Sequence, residues 1–239
     1  MDVSVVVPVF NEAENIDALF NRLENTLEQL DIDYEIIFVN DGSSDDSLLK
    51  MDLARNANNN VKIIDFKRNF GQHVAIVAGF KFASGNLVIT IDADLQNPPE
   101  EIKKIFQQFK KGFDYIGTVR RERNDSLFRK YASLAVNKIR KIITKIPITD
   151  QGCMMRGYSQ KIAKTISENA QKHTFIPLMG FQLAERPTEI IVEHSARNFG
   201  KSKYNVFSLA KLSLNLFKSA SQNEVKNKIE YEINKKIGF

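Results

Sequence analysis

The chain has 239 residues, 43% of them hydrophobic and 26% charged, with a net charge of +5 and a pI near 9.1. That length suits one large α/β domain, or a domain with a small appendage, and the apolar content is ample for a core. A single cysteine, Cys153, excludes an internal disulfide framework and fits a reducing compartment, while the basic balance points to anionic partners such as nucleotide, lipid phosphate or a membrane surface.

Taken in order, Val3–Val7 is an apolar run ended by Pro8, which predicts a buried parallel strand. A helix follows, with Ile16, Leu19, Phe20, Leu23 and Leu27 on one face. Tyr34–Val39 is a second strand, and Asn40-Asp41-Gly42-Ser43-Ser44-Asp45 is turn chemistry throughout, with Ser44 or Asp45 placed to cap the next helix. Val61–Phe66 is a third strand, and Arg68-Asn69-Phe70-Gly71-Gln72-His73 opens a helix of small residues over 74–83. Leu87–Ile91 is a fourth strand, short and β-branched, and Phe113–Val119 a fifth. The β-α alternation predicts a Rossmann-like, doubly wound, mostly parallel sheet with right-handed crossovers. Met1-Asp2-Val3 leads straight into a strand, so no signal peptide is expected, and no apolar run approaches the roughly 18 to 20 residues that span a bilayer.

Three strand ends deliver polar residues to one edge: Asn11 and Glu12, then Asp41, then Asp92 and Asp94. Ligands of open α/β sheets bind at that edge. Asp92-Ala93-Asp94-Leu95-Gln96 supplies two carboxylates with no Cys or His nearby, a set that suits a hard cation such as Mg²⁺ or Mn²⁺; the alternative is two solvated aspartates ahead of a helix begun at Pro98-Pro99. No Gly-x-Gly-x-x-Gly follows the first strand and no Lys-Ser/Thr phosphate loop is present, so phosphate charge falls to metal and basic side chains. Cys153 reads as a small core residue, and His173 and His194 have no ligand-like spacing. His73 lies beside the substrate edge but suits a helix cap equally well.

From Arg120 to Lys145 nine basic residues face two acids, interleaved with Leu127, Phe128, Tyr131, Leu134, Ile139 and Ile142 at helical spacing. A basic amphipathic segment of this kind suits an anionic membrane surface, and the apolar stripe without a stacking platform argues against nucleic acid. Val206–Phe217 reads as an amphipathic helix, and Val225, Ile229, Ile233 and Ile237 recur every fourth residue as the stripe of a tail helix for docking on the body or on a partner.

Val-Val-Pro-Val-Phe-Asn-Glu at 6–12, Val-Asn-Asp-Gly-Ser-Ser-Asp at 39–45 and Asp-Ala-Asp-Leu-Gln at 92–96 resemble the family 2 glycosyltransferases with the GT-A fold. Arg68–Gln72, the run Gln151-Gly152-Cys153-Met154 and the stretch Arg197-Asn198-Phe199-Gly200-Lys201-Ser202-Lys203-Tyr204 resemble polyprenyl-phosphate glycosyltransferases, which include the dolichol-phosphate mannose synthases. Among these the resemblance is to the undecaprenyl-phosphate 4-deoxy-4-formamido-L-arabinose transferase group, and it runs from residue 3 to about 215.

The resemblance implies an inverting transfer from a nucleotide-sugar, a UDP-sugar by subgroup, to polyprenyl phosphate at the cytoplasmic membrane face, for cell-envelope glycan or lipid A modification. Pro8, Phe10, Asn11, Glu12, Asp41 and Ala93 would line the donor pocket, with Gln96 beside its phosphates. Asp94 would hold the metal, and Asp92 the ribose or the metal. Arg120, Arg129, Arg197, Lys201, Ser202 and Lys203 would meet the donor or acceptor phosphates. Asp150 matches the family's candidate base; since a phosphate monoester is mostly ionised at neutral pH, it reads as a positioning group as much as a base. Residues 1–204 would form the transferase domain, with a nucleotide half over 1–119 and an acceptor half over 120–204, and 205–239 a helical tail. The subgroup carries two transmembrane helices after the basic loop; this tail is polar, so a peripheral location, with a membrane-anchoring subunit or homo-oligomer, is expected. A sugar-hydroxyl acceptor in polysaccharide synthesis and a non-catalytic nucleotide-sugar-binding partner remain the alternatives.

Overall fold

The computed structural model describes residues 1–121, 148–150, 152–171, 174–195 and 229–239. Among the described residues eight strands form one sheet: β1 (Val3–Val9), β2 (Tyr34–Asn40), β3 (Val61–Phe66), β4 (Leu87–Thr90), β5 (Tyr115–Arg120), β6 (Arg156–Ser159), β7 (Pro187–Val192) and β8 (Ile233–Ile237). Their order is β7-β5-β6-β4-β1-β2-β3-β8. The neighbours β4-β1-β2-β3 are parallel, as are β5 and β7, whereas β6 and β8 run against their partners.

The central strands are mostly apolar because both faces are covered, and their polar members Ser4, Glu35, Asn40, Asp65 and Thr90 are buried. Val3, Val5, Val7 and Val9 point into one cluster with α1 (Ala13–Glu28), α2 (Ser47–Ala57) and α4 (Ile102–Lys110). Val6, Ile37, Val39 and Ile64 point into the other, with α3 (Gln72–Phe82), α5 (Gln160–Asn169) and α6 (Ile176–Leu183). Pro8 is paired on the β2 side, opposite Val39; β4 ends opposite Val6, so proline's missing N–H falls where β1 has one strand neighbour rather than two.

The register aligns the strand ends. Asp41 N–H donates to Val9 O and Ile91 N–H to Val6 O, so the loops after β1, β2 and β4 leave the sheet side by side. β6 enters between β4 and β5 with Arg156 opposite Thr90, which brings 152–155 against the loop that follows β4. The hydroxyl of Thr90 donates to Met154 O and that of Thr118 to Met155 O, fixing this stretch at both neighbours.

The tail is a correction to the sequence reading. Ile233 and Ile237 were expected on a helix stripe; within 229–239 they belong instead to β8, antiparallel on the open edge of β3. A repeat of four fits a period of two as well as a helix, and the unpaired β3 edge decides between them. The register shifts between Asp65 and Phe66, which turns Ile237 toward the α1 side and Ile233 toward the α3 side. Residues 205–228, with the predicted helix at 206–217, lie outside the described residues, as does most of the basic segment at 120–145.

Candidate active site

The loops at the carboxyl ends of β1, β2 and β3 are bound into one floor. Asn11 takes φ +54°, a left-handed conformation that asparagine tolerates, and its Oδ1 accepts from Ser44 N–H at 2.8 Å while its own N–H donates to Ser43 Oγ at 3.0 Å. Glu12 N–H donates to Ser47 Oγ, and Asp45 accepts from both Ala13 and Ser47 N–H; the N-cap of α2 is Asp46, one residue beyond the expected Ser44 or Asp45, and its side chain makes no capping bond. Asp41 is 3% exposed, and its two oxygens accept from the N–H groups of Phe70 (2.7 Å) and Gly71 (2.9 Å). Burial pushes its carboxyl above the ordinary value, against the pull of those two bonds. Gly42 has φ +68°, and a Cβ there would lie 2.3 Å from the backbone carbon of Arg68; only glycine lets the two loops touch.

The acidic loop follows β4. Gln72 Nε2 donates to Asp92 Oδ1 at 2.6 Å, and Gln96 N–H to Asp94 Oδ1 at 3.1 Å. Ala93, Asp94 and Leu95 are buried, and Leu95 is held at φ +61°. A branched side chain in that conformation is uncommon and costs of order 1 to 3 kcal/mol, so the surrounding packing imposes the turn that sets Asp94 beside Gln96.

Asp150 comes from the other half of the sheet. Its carboxylate takes a bidentate pair from Arg120, Nε at 2.6 Å and Nη2 at 2.9 Å, and a further bond from Gly152 N–H. Arg156 is fully buried and donates to the carbonyls of Asp150 and Cys153 and to the Tyr115 hydroxyl, which fixes the backbone from below. Cys153 is buried, contacts Thr118 Oγ1 and Asn97 Oδ1, and burial raises its thiol pKa; it is a core residue, as read.

His194 joins the two halves, a role its solitary position in the sequence does not show. Its Nδ1 lies 2.9 Å from Gln96 O and its Nε2 3.5 Å from Arg120 Nη1. With Nδ1 donating to the carbonyl, Nε2 faces Arg120 as an acceptor. Asp94, Gln96, His194, Arg120 and Asp150 thus form one run of contacts from the acidic loop to the stretch that precedes β6. Gln72 was also missed as a site residue, although it lies in a stretch quoted for the resemblance. His73, by contrast, is no cap: it lies inside α3 with its ring against Phe175, and burial lowers its pKa.

Pro8, Phe10, Asn11, Glu12, Asp41, Asp92, Ala93, Asp94 and Gln96 therefore share one end of the sheet. Arg120, expected on phosphate, is placed on Asp150. Arg129, Arg197, Lys201, Ser202 and Lys203 lie outside the described residues. Among the described residues no three His, Cys, Asp or Glu side chains converge as a metal cage. Two carboxylates of one loop fit a cation of the Mg²⁺ type, which takes few protein ligands and completes its shell with water and substrate phosphate.

The family profile described as glycosyl transferase family 2 matches residues 4–167. The chain belongs to this family. Among curated family 2 relatives, the undecaprenyl-phosphate 4-deoxy-4-formamido-L-arabinose transferases of Salmonella choleraesuis (strain SC-B67) and Yersinia pestis (strain Pestoides F) are each 45% identical over 215 residues, 90% of this chain and 66% of theirs. The chain thus spans just under two thirds of the length of these relatives. Among solved structures, glucosyl-3-phosphoglycerate synthase from Mycobacterium tuberculosis, in complex with Mn²⁺, uridine diphosphate and phosphoglyceric acid, superposes with a TM-score of 0.68 at 14% identity, covering 93% of this chain and 80% of that one. Mannosyl-3-phosphoglycerate synthase from Rubrobacter xylanophilus gives 0.65 at 12% identity, covering 92% and 73%. These two share the fold, so the GT-A expectation for this family 2 chain holds.

Proposed function

We propose that this chain transfers a sugar from a nucleoside diphosphate donor, a UDP-sugar, to a polyprenyl phosphate at the cytoplasmic face of the membrane. The observation that carries the reading is the 45% identity to transferases named for undecaprenyl phosphate. The loops after β1, β2 and β4 at one end of the sheet agree with it.

The donor nucleotide would lie on the floor made by Pro8, Phe10, Asn11, Glu12 and Asp41, with its diphosphate toward Asp92, Asp94 and Gln96. Asp94, with Asp92, would hold Mg²⁺ or Mn²⁺. When bound, such a cation offsets the charge that builds on the departing nucleoside diphosphate. The acceptor phosphate oxygen forms the new bond to the anomeric carbon as the bond to the donor phosphate breaks on the opposite face, giving inversion. A phosphate monoester has its second pKa near 6 and needs no base to attack. Asp150, bidentate on Arg120, is therefore a positioning group that holds Arg120 at the acceptor side. The basic residues 120–145 and 197–203 would meet the lipid phosphate and the membrane surface. No helix among the described residues is long and apolar enough to cross a membrane.

The test is nucleoside diphosphate release from a panel of UDP- and GDP-sugars with Mn²⁺ or Mg²⁺, with and without undecaprenyl phosphate in detergent. Release that requires the lipid phosphate is expected, and it names the donor. Nucleotide binding with no release on that lipid would overturn the acceptor.

A further inference from the structure

The strand that the sequence hid as a helix reaches the nucleotide floor by a continuous line of hydrogen bonds. Asn234 of β8 donates from Nδ2 to Asp65 Oδ2 at 2.7 Å. The other oxygen of Asp65 accepts from Asn40 Nδ2 at 2.8 Å. Asn40 Oδ1 in turn accepts from Ser43 N–H at 3.1 Å, and Ser43 Oγ accepts from Asn11 N–H. Asp65 and Asn40 are 5% and 3% exposed, so the line is shielded from water over its middle. The Asn40 amide uses both ends, donating to Asp65 and accepting from Ser43, which fixes the direction of the run.

A second contact from the same segment meets the neighbouring loop. Tyr231 lies on Phe66 with ring centroids 5.1 Å apart, and Phe66 meets Phe70 edge-on at 5.5 Å. Phe70 N–H is one of the two donors on Asp41. Lys67 is tied to the same segment twice, by its N–H to Glu232 O and by its ammonium to the Glu232 carboxylate. Segment 231–234 therefore braces the 40–44 loop through Asp65 and the 68–71 loop through Phe66. A cavity of about 430 Å³ lies where the two braces meet, with Asn40, Ser43, Asp65, Lys67 and Asn234 in its wall.

We propose that Asn234 is a positioning residue for the donor nucleotide: through Asp65 and Asn40 it sets the conformation of the 40–44 loop, and so the affinity of the floor for a nucleoside diphosphate. The role rests on the donor-nucleotide reading given above. A bare edge strand needs main-chain pairing and apolar contact, which Ile233 and Ile237 supply. It does not need a side-chain amide aimed at a buried carboxylate.

The experiment uses the whole chain with Asn234→Ala, Asn40→Ala and the double variant. UDP and GDP are titrated by calorimetry in Mn²⁺, and amide exchange is followed at Ser43 and Ser44 without nucleotide. Asn234→Ala is expected to weaken nucleotide binding about fivefold or more, and the double variant to lose no more than Asn40→Ala alone. Exchange should quicken in 40–44 while the strands β1 and β4 keep their protection. Additive losses in the double variant, or faster exchange spread evenly over the sheet, would show a merely structural strand and overturn the role. Nucleotide binding by the unaltered chain that Asn234→Ala leaves unchanged also overturns it, alone. Failure of the unaltered chain to bind either nucleotide overturns the donor reading and this role together.

Discussion

Asp94 and Asp150 carry the same charge and meet different partners. Asp94 lies on a strained turn and accepts from Gln96 N–H, and Asp150 is paired with Arg120 through both oxygens. Replacing Asp94 by alanine is expected to lower sugar transfer about a thousandfold or more, since the loss falls on charge stabilisation in the transition state. Asp150→Asn should cost about tenfold, below the range of roughly 10² to 10⁴ associated with losing a general base. Steady-state turnover of both variants decides, and equal losses would return Asp150 to the role of base. Glu35 offers a test of a different kind. It is fully buried; burial opposes its ionisation, but bonds from Lys62, Ser4 and Ser84 outweigh that and hold its pKa below the usual value. A folded pKa below the unfolded one gives stability that is present at neutral pH and lost as pH falls through the folded value. Glu35→Gln should therefore be less stable than the parent at pH 7, with the gap closing toward pH 3, as read from denaturant midpoints.

At the scale of elements, α3 lies almost directly on β1. A Cβ on Gly79 would stand 2.2 Å from Val6 Cγ1. Gly79→Ala should therefore destabilise by about 1 to 3 kcal/mol through overpacking, despite alanine's better helix propensity, and thermal unfolding would show the sign. The elements also show what a sequence discloses. β1 to β4 were legible because both their faces are buried and their residues are predominantly apolar and β-branched. β8 was not, because Ile233 and Ile237 are spaced for either structure and a partner edge 169 residues away made the choice. That Asp92 and Asp94 stand at the end of a buried strand was legible from the apolar run Leu87–Ile91 and the Pro98-Pro99 that follows. The pairing of Asp150 with Arg120, and the bridge at His194, depend on β5, β6 and β7 lying together, which no local pattern encodes.

For the molecule as a whole, the charge of +5 is unevenly placed: residues 120–145 alone hold nine basic side chains against two acids. The chain is expected to bind vesicles containing phosphatidylglycerol at low ionic strength and to leave them as salt rises to about 0.5 M, where screening shortens to a few ångströms. Co-sedimentation measures it, and binding indifferent to salt would refute an electrostatic contact. Distance along the chain has its own consequence. Asp65 and Asn234 are neighbours in space and 169 positions apart in sequence. At about 5 to 20 residues per second of synthesis, β8 follows β3 from the ribosome by roughly 10 to 30 s. Through that interval the β4-β1-β2-β3 half has its residues and β3 is an apolar edge, Val61, Ile63 and Ile64, with an unpaired row of backbone groups. Until β8 arrives the nascent half therefore presents an open edge of the kind chaperones shield, and truncation before residue 233 would leave that edge open to pairing with another chain.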